Sequence, residues 1–519
     1  MSSREALKRL RRHRVPAWWS DAKLGIFIHW TPASVPGWAP VDSHIGELLV
    51  AGRPDALAHN PYTEWYENSL RFPDSPVSRH HRETYGNKPY EEFAAEYQEG
   101  LASWDPDEWA RTFASTGARY VVLVSKHHDG WCLWPSSVAN PNRSGWHSER
   151  DIVGELREAV LGVGMRFGLY YSGGLDWTFE PRPIGNLGDM LAAVPRGNYP
   201  AYADAQLREL IDRYRPSVLW NDIAWPTPGG QLWPTLEYYY RKVPDGVIND
   251  RWMPWSPIIG ATQWEPARRA ANSLNARTTR SGGGLIPPKP PHFDVRTPEY
   301  VVFDDVQRHP WECVRGMDQS FGYNRNSGPE HFLDPDDLLD TAADIVAKGG
   351  NLLLNVGPRG EDATIPPEQL ALLGALGDWS AGEGTSIFGS RPWVRPAGHS
   401  AEGHDLRYWA KDRSVFASLQ SGDADGGTGG PGGSPDASRT GDPSATDPSG
   451  TGDPRAATEN SVVTLADLRA TPTTSARSTA GVELAHEQAP TGLRVHLDNP
   501  ANDPDATHRA IELRDVEAT

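Results

Sequence analysis

The chain has 519 residues, a formal net charge of −18, 38% apolar and 23% charged residues. That length exceeds one ordinary hydrophobic core and predicts a large domain with a smaller one, and the acidic surface argues against nucleic acid or anionic membrane as partners. Two cysteines, Cys132 and Cys313, exclude a disulfide scaffold and show no Cys/His metal spacing. The opening MSSREALKRLRRHRVPAWW has basic residues without a following apolar stretch, so no secretory signal is expected and a cytoplasmic location follows. No run reaches bilayer-spanning length. The 21 Trp and 17 Tyr fit both cores and sugar sites, since flat rings cover apolar C–H faces at low entropic cost.

In chain order, short apolar runs at 25–29, 119–125, 166–172, 217–222, 246–250 and 350–356 read as strands buried on both faces. Helices between them have legible ends. Asp105 caps one, Pro106 takes its first turn, Glu108 completes a capping box and Gly117 ends it. Ile152, Leu156 and Val160 repeat at a spacing of four ahead of Gly162 and Gly164. Leu207, Leu210, Ile211 and Tyr214 mark another helix, stopped by Pro216. This alternation predicts an α/β fold, either a (β/α)8-like barrel or a doubly wound sheet. Polar residues recur at the strand C-termini (His29, Lys126 to Asp129, Asp222, Arg251), which favours the barrel over residues 1–390. Beyond about 390 the period becomes two, in Val415, Ala417 and Leu419, in Leu493, Val495 and Leu497, and in Ile511 and Leu513. Residues 391–519 are therefore expected to form a small antiparallel β-sandwich. A Gly/Pro/Ser/Asp-rich insert at about 421–460 has too little apolar surface to offset its ordering entropy and is expected to be disordered.

Asp222 ends the apolar run Leu219-Trp-Asn-Asp222, which exposes a carboxylate at a barrel mouth. Glycoside cleavage needs two carboxyl groups about the scissile bond, and a helix cap or salt-bridged acid is the plainer alternative for such an Asp. In Lys126-His-His-Asp-Gly-Trp131 the adjacent histidines point opposite ways on extended backbone, with no third ligand at a recognised spacing. They read as donors to hydroxyls or as packing residues rather than metal ligands. His29-Trp30 and Glu64-Trp65-Tyr66 pair polar groups with rings.

The blocks Lys23-Leu-Gly-Ile-Phe-Ile-His-Trp30, Glu64-Trp65-Tyr66, Lys126-His-His-Asp-Gly-Trp131, Tyr170-Tyr-Ser-Gly-Gly-Leu-Asp-Trp177 and Trp220-Asn-Asp222 resemble those of the glycoside hydrolase family 29 α-L-fucosidases. Asn249-Asp-Arg-Trp252, Ser320-Phe-Gly-Tyr-Asn-Arg-Asn326 and Lys348-Gly-Gly-Asn-Leu-Leu-Leu-Asn-Val-Gly-Pro358 extend the match, in the family's order. The resemblance implies a retaining exo-fucosidase on an irregular barrel, acting without metal or organic cofactor on fucosylated glycans or glycosides. It puts the nucleophile on Asp222 and the sugar-binding residues on His29, Glu64, Trp65, His127, His128, Tyr171, Trp220, Arg251 and Phe321. The acid/base falls on Glu299 in Phe293-Asp-Val-Arg-Thr-Pro-Glu-Tyr300, with Glu312 and Glu265 as alternatives, because 253–291 looks like an insertion. A glycosidase for a related sugar such as a galactoside, or an inactive sugar-binding barrel, keeps the same fold. Linkage preference is not legible, and a homo-oligomer stays open.

Overall fold

Strand β1 (Leu24–Ile28) is buried along its whole length. It pairs in parallel with β2 (Tyr120–Lys126) on one side and β7 (Gly350–Val356) on the other. With β3 (Arg166–Tyr171), β4 (Val218–Asn221), β5 (Val247–Ile248) and β6 (Trp311–Arg315) they form one parallel sheet of order β5-β4-β3-β2-β1-β7-β6. Helices follow most strands and cover the outer face while strand side chains fill the inner one, so the strands can be apolar throughout. The helix Pro106–Ser115 begins as its sequence predicts, with the Asp105 carboxylate accepting from the N–H groups of Asp107 and Glu108 and Pro106 in the first turn. In this computed structural model all residues are described except 1–2, 43, 52, 279–283, 422–461, 480 and 498–509.

The sheet is curled, and residues 294–300 bridge its two edges. The N–H groups of Asp294 and Val295 donate to Ile248 O of β5. On the other side, Arg296 N–H donates to Pro310 O, Glu312 N–H to Arg296 O, Val314 N–H to Pro298 O and Tyr300 N–H to Val314 O. An irregular segment thus does the work of an eighth strand. The expected barrel is the observed first unit, with an inner cluster that includes Phe27, Tyr120, Val122, Val124, Tyr170, Val218, Trp220, Val314 and Leu353. Tyr120 lies across Gly25, where an added Cβ would sit 2.4 Å from its ring, so only glycine leaves room. Its hydroxyl then reaches Glu312 inside the barrel.

The first unit is Met1–Ala381 and the second Gly382–Thr519. The turn Glu383–Ile387 goes with the second, where Ser386 Oγ accepts from Trp409 Nε1. Described residues of the second unit form a six-stranded and a three-stranded antiparallel sheet. One core joins them, Leu406, Tyr408, Val415 and Ala417 meeting Val463, Leu465, Leu493 and Val495. The insert read at about 421–460 lies outside the described residues apart from Ser421. Among the described residues no helix is long and apolar enough to cross a membrane.

Under the catalytic face, Lys126 Nζ meets Asp176 Oδ2 at 2.8 Å with both side chains 0% exposed. Burial by itself lowers the lysine pKa, and the Asp176 charge and hydrogen bond together with Tyr199 and Cys132 more than offset that, so Lys126 stays cationic. Its charge also sits over the ring of Tyr171, 4.5 Å from the centroid. Removing one member of such a pair strands the other charge and costs about 3–5 kcal/mol. Lys126→Met is expected to lower stability by that amount in urea unfolding, and an unchanged midpoint would contradict the buried-pair account.

Candidate active site

The C-terminal ends of the strands deliver one cluster of side chains. Trp220 and Asp222 are two residues apart at the end of β4, so both face the barrel interior. Asp222 Oδ1 accepts from Arg251 Nη1 at 2.9 Å and from the Ile223 N–H at 2.8 Å. Its Oδ2 accepts from the Tyr170 hydroxyl at 2.9 Å and lies 3.8 Å from His128 Nε2. Arg251, just past β5, lies over the Trp220 ring, 4.6 Å from its centroid. Its Nη2 reaches Glu299 Oε1 at 2.5 Å. One guanidinium therefore spans two carboxyl groups, one at the end of β4 and one in the irregular closing segment 294–300. Both are nearly enclosed, with 12% of the Asp222 side chain and 9% of the Glu299 side chain exposed.

Burial pushes the Glu299 pKa up and the neighbouring Asp222 charge adds to it, while Arg251 pulls the other way; the net direction is upward. Arg251 is held cationic by the two carboxyl groups despite its own burial. The Tyr62 hydroxyl approaches Glu299 Oε2 at 3.5 Å.

A second group faces the same space. His29 follows β1, and its Nδ1 lies 2.6 Å from Asn355 Oδ1 on β7. Asn355 Nδ2 donates to Phe321 O, so its oxygen is the atom turned to His29, which must donate from Nδ1. Ser172 likewise spends its proton on Leu175 O and accepts from His128 Nδ1. Burial lowers all three histidines, His29 to about 4 and His127 and His128 well below the usual range, so the rings are neutral at physiological pH. His29 and His128 then carry bare Nε2 acceptors. His127 Nδ1 is buried without a hydrogen-bond partner among the described residues. Burial lifts Glu64 to about 8 even though its Oε2 accepts from Gly322 N–H at 3.0 Å.

His29, Glu64 and His127 each bring a ligand atom within 4.8 Å of the others. The set has the types to ligate a divalent ion. Neutral imidazole can ligate a metal or accept from a hydroxyl, while the Glu64 carboxyl, raised to about 8 by burial, carries a proton at neutral pH and is then a hydroxyl partner rather than an anionic ligand. Rings enclose the rest. Phe321 lies 5.1 Å from both His29 and Tyr62 and 5.4 Å from Tyr300, and Trp65 meets His128 at 5.2 Å.

Ten of the expected residues, His29, Glu64, Trp65, His127, His128, Trp220, Asp222, Arg251, Glu299 and Phe321, are thus gathered at one end of the barrel. Tyr171 is not. Register pairs Tyr170 with Val124 and Trp220, which face inward, and Tyr171 with Lys126 and Asn221. The Tyr171 hydroxyl donates to Gln206 outside the barrel interior, and Tyr170 takes the place against Asp222. Strand alternation, counted from Trp220 across the sheet, is the signal that separates the two tyrosines. Glu312 lies in β6 beneath the site, accepting from Tyr120 Oη and Trp220 Nε1, with burial lifting it to about 7. Glu265 begins the helix Glu265–Thr278, is exposed, and pairs with Arg269. Neither alternative acid reaches Asp222. Tyr62 was not signalled, since a lone hydroxyl has no motif, and Ser172 and Asn355 lie within matched blocks but were not singled out there.

The family model described as Alpha-L-fucosidase matches residues 2–385. The chain belongs to the α-L-fucosidase family. It is a glycoside hydrolase of family 29, as the sequence blocks imply. An α-L-fucosidase of Dictyostelium discoideum is 30% identical over 397 residues, 73% of this chain and 72% of that one. Among solved structures, an α-L-fucosidase is 36% identical with a TM-score of 0.76, covering 98% of this chain and 99% of its own. The Thermotoga maritima α-fucosidase in complex with fucose is 35% identical with a TM-score of 0.73, covering 98% of each chain. The two structural similarities cover 98% of the chain, and so both the barrel and the antiparallel sheets.

Tyr170 and Tyr171 give a direct test of the inward face. A hydrogen bond to a charged group is worth about 1.5–3 kcal/mol, roughly a ten- to hundredfold effect. Tyr170→Phe is expected to lower kcat/KM on an aryl α-L-fucoside by that factor, and Tyr171→Phe by less than about threefold on the same scale. The reverse order in steady-state kinetics would return the site to Tyr171.

Proposed function

We propose that this α-L-fucosidase is a retaining exo-enzyme that removes terminal α-L-fucosyl residues by double displacement. The observation that carries the reading is the pair Asp222 and Glu299 on either side of one guanidinium. A retaining pair stands about 5–5.5 Å apart, a span that a bridging guanidinium suits. An Asp222 oxygen attacks C1 from the face opposite the aglycone. As the C1–O bond breaks, its electrons go to the leaving oxygen, which takes the Glu299 proton. The product is a β-fucosyl ester of Asp222. Water then loses a proton to Glu299 and attacks C1, and the ester bond breaks to return the Asp222 carboxylate and release α-L-fucose.

The surroundings of each carboxyl group support these roles. Arg251, Tyr170 and the Ile223 N–H aim three hydrogen-bond donors at the Asp222 oxygens and hold them in place. Glu299 is raised by burial and by Asp222, which favours its acid form before the first step. Once Asp222 is esterified its charge is gone, and Arg251 draws Glu299 toward the carboxylate needed for the second step. Neutral His29, His127 and His128 with Glu64 would hold the sugar hydroxyls, and Trp65, Tyr170 and Phe321 would cover its apolar face and C5 methyl. Trp220 acts from below as the surface on which Arg251 lies.

Two outcomes test the roles. Asp222→Gly is expected to lose at least about a thousandfold in kcat, and azide is expected to restore turnover and give β-L-fucosyl azide; wild-type-like turnover in the variant would end the assignment. Glu299→Ala is expected to slow an alkyl α-L-fucoside by roughly 10²–10⁴-fold and fucosylation by a dinitrophenyl fucoside far less. The acid form exists below the raised pKa, so wild-type kcat/KM should fall as pH rises through it, and that alkaline limb should vanish in Glu299→Ala. If Glu312→Gln alone shows the leaving-group dependence, the acid is Glu312.

A further inference from the structure

The segment that begins at Met253 returns to the acid at Leu285. There Leu285 N–H donates to Glu299 O at 2.9 Å and Glu299 N–H donates to Leu285 O at 2.8 Å. This is a hydrogen-bonded antiparallel pair, in which the two opposed side chains project from the same face with Cα atoms about 5.5 Å apart. The Leu285 side chain therefore stands beside the Glu299 carboxyl. The close pairing needs a bare neighbour. At Gly284 an added Cβ would sit 2.4 Å from Glu299 O and 2.3 Å from the Val301 side chain. Leu285 is half-buried and packs on the cluster that contains Tyr62, Trp65, Trp220 and Phe321.

Ile223 occupies the matching position beside the nucleophile. Its φ is +67°, a left-handed conformation that a β-branched residue adopts only under constraint. That backbone aims its N–H at Asp222 Oδ1 and leaves its side chain half-buried on the same cluster as Leu285. Ile223 also packs, together with Met253 and Trp255 from the start of the segment that ends at Leu285, on a small cluster of Val194, Ala224 and Ile259. Both ends of one segment thus support a half-exposed apolar side chain, one next to each carboxyl group.

We propose that Ile223 and Leu285 form the leaving-group subsite, and that the enzyme favours α-L-fucosides whose aglycone presents an apolar face to them. The inference rests on Glu299 as the acid. The leaving oxygen must lie against the Glu299 carboxyl when it takes the proton, so the group attached to it leaves the site past the side chain beside that carboxyl. A flat apolar surface there gains from covering Leu285 and Ile223, and a small hydrated leaving group does not.

The test compares two substrates of the full-length enzyme, 4-methylumbelliferyl α-L-fucoside and α-L-fucosyl fluoride, whose leaving group has no carbon surface. In Leu285→Ser the ratio of kcat/KM for the aryl fucoside over the fluoride is expected to fall about tenfold. An unchanged ratio, with both substrates slowed equally or neither slowed, overturns the subsite. A wild-type measurement keeps the test independent of folding. The fucosyl-enzyme can be intercepted by an alcohol, whose oxygen bonds to C1 as its proton passes to Glu299 and Asp222 is released. At equal concentrations 2-phenylethanol should capture about tenfold more fucosyl product than ethanol, and equal capture overturns the proposal. A wild-type enzyme that cleaves neither fucosyl substrate defeats the parent reading, whereas cleavage of both with an unmoved ratio defeats the subsite alone.

Discussion

Burying two carboxyl groups at the mouth of one barrel requires a cation between them, and Arg251 supplies it. Two unit charges about 5 Å apart repel by roughly 3 kcal/mol at an effective dielectric near 20. Without the guanidinium, that repulsion and the desolvation of each group would drive both carboxyls toward the neutral acid. With it, one cation stands between the two carboxyl groups, and burial together with the Asp222 charge still pushes the Glu299 pKa upward. Arg251 is placed by stacking over Trp220 and by donating to Thr297 O. Asp250, fully buried, then ties the two arms together. It accepts from Thr297 N–H and Oγ1 on one oxygen and from Arg296 Nε on the other. The residue before the arginine thereby anchors the segment that carries Glu299, so the distance between cation and acid is set by one backbone step and three hydrogen bonds.

The same anchoring explains which parts of the fold were legible in the sequence. Strands β1 to β4 and β7 are continuous apolar runs because helices cover them outside and side chains fill them inside. The closing piece, 294–300, reads Asp-Val-Arg-Thr-Pro-Glu-Tyr and has no such run. It is held by bonds to the edges of β5 and β6 and by Asp250, and none of these leaves a periodic trace. Glu299 was therefore reachable only through its resemblance to a family block, and Glu312, two residues into an apolar strand, competed with it. The structure separates them by height in the barrel. Glu312 lies under the Trp220 ring and is satisfied by Tyr120 and Trp220, whereas Glu299 stands at the rim. Tyr171 was misplaced for a related reason. Two adjacent tyrosines at a strand end look equivalent in sequence, but the pleat turns one toward Asp222 and the other toward Gln206.

Recognition of an uncharged sugar places a further demand on the site. An imidazolium beside Asp222 would compete with Arg251 for the carboxylate. Burial of His29, His127 and His128 removes that competitor by keeping them neutral. Neutrality alone leaves each ring two tautomers, and a hydroxyl can meet either a donor or an acceptor. Asn355 resolves the choice for His29 because its amide hydrogen is committed to Phe321 O, leaving only its oxygen to face the ring. Ser172 resolves it for His128 by spending its proton on Leu175 O. Two ring nitrogens, Nε2 of His29 and of His128, are consequently left as acceptors by bonds made at the opposite nitrogen of each ring. Their orientation is set before substrate arrives, so binding need not reorganise the histidines, and the cost of ordering them has already been met by folding.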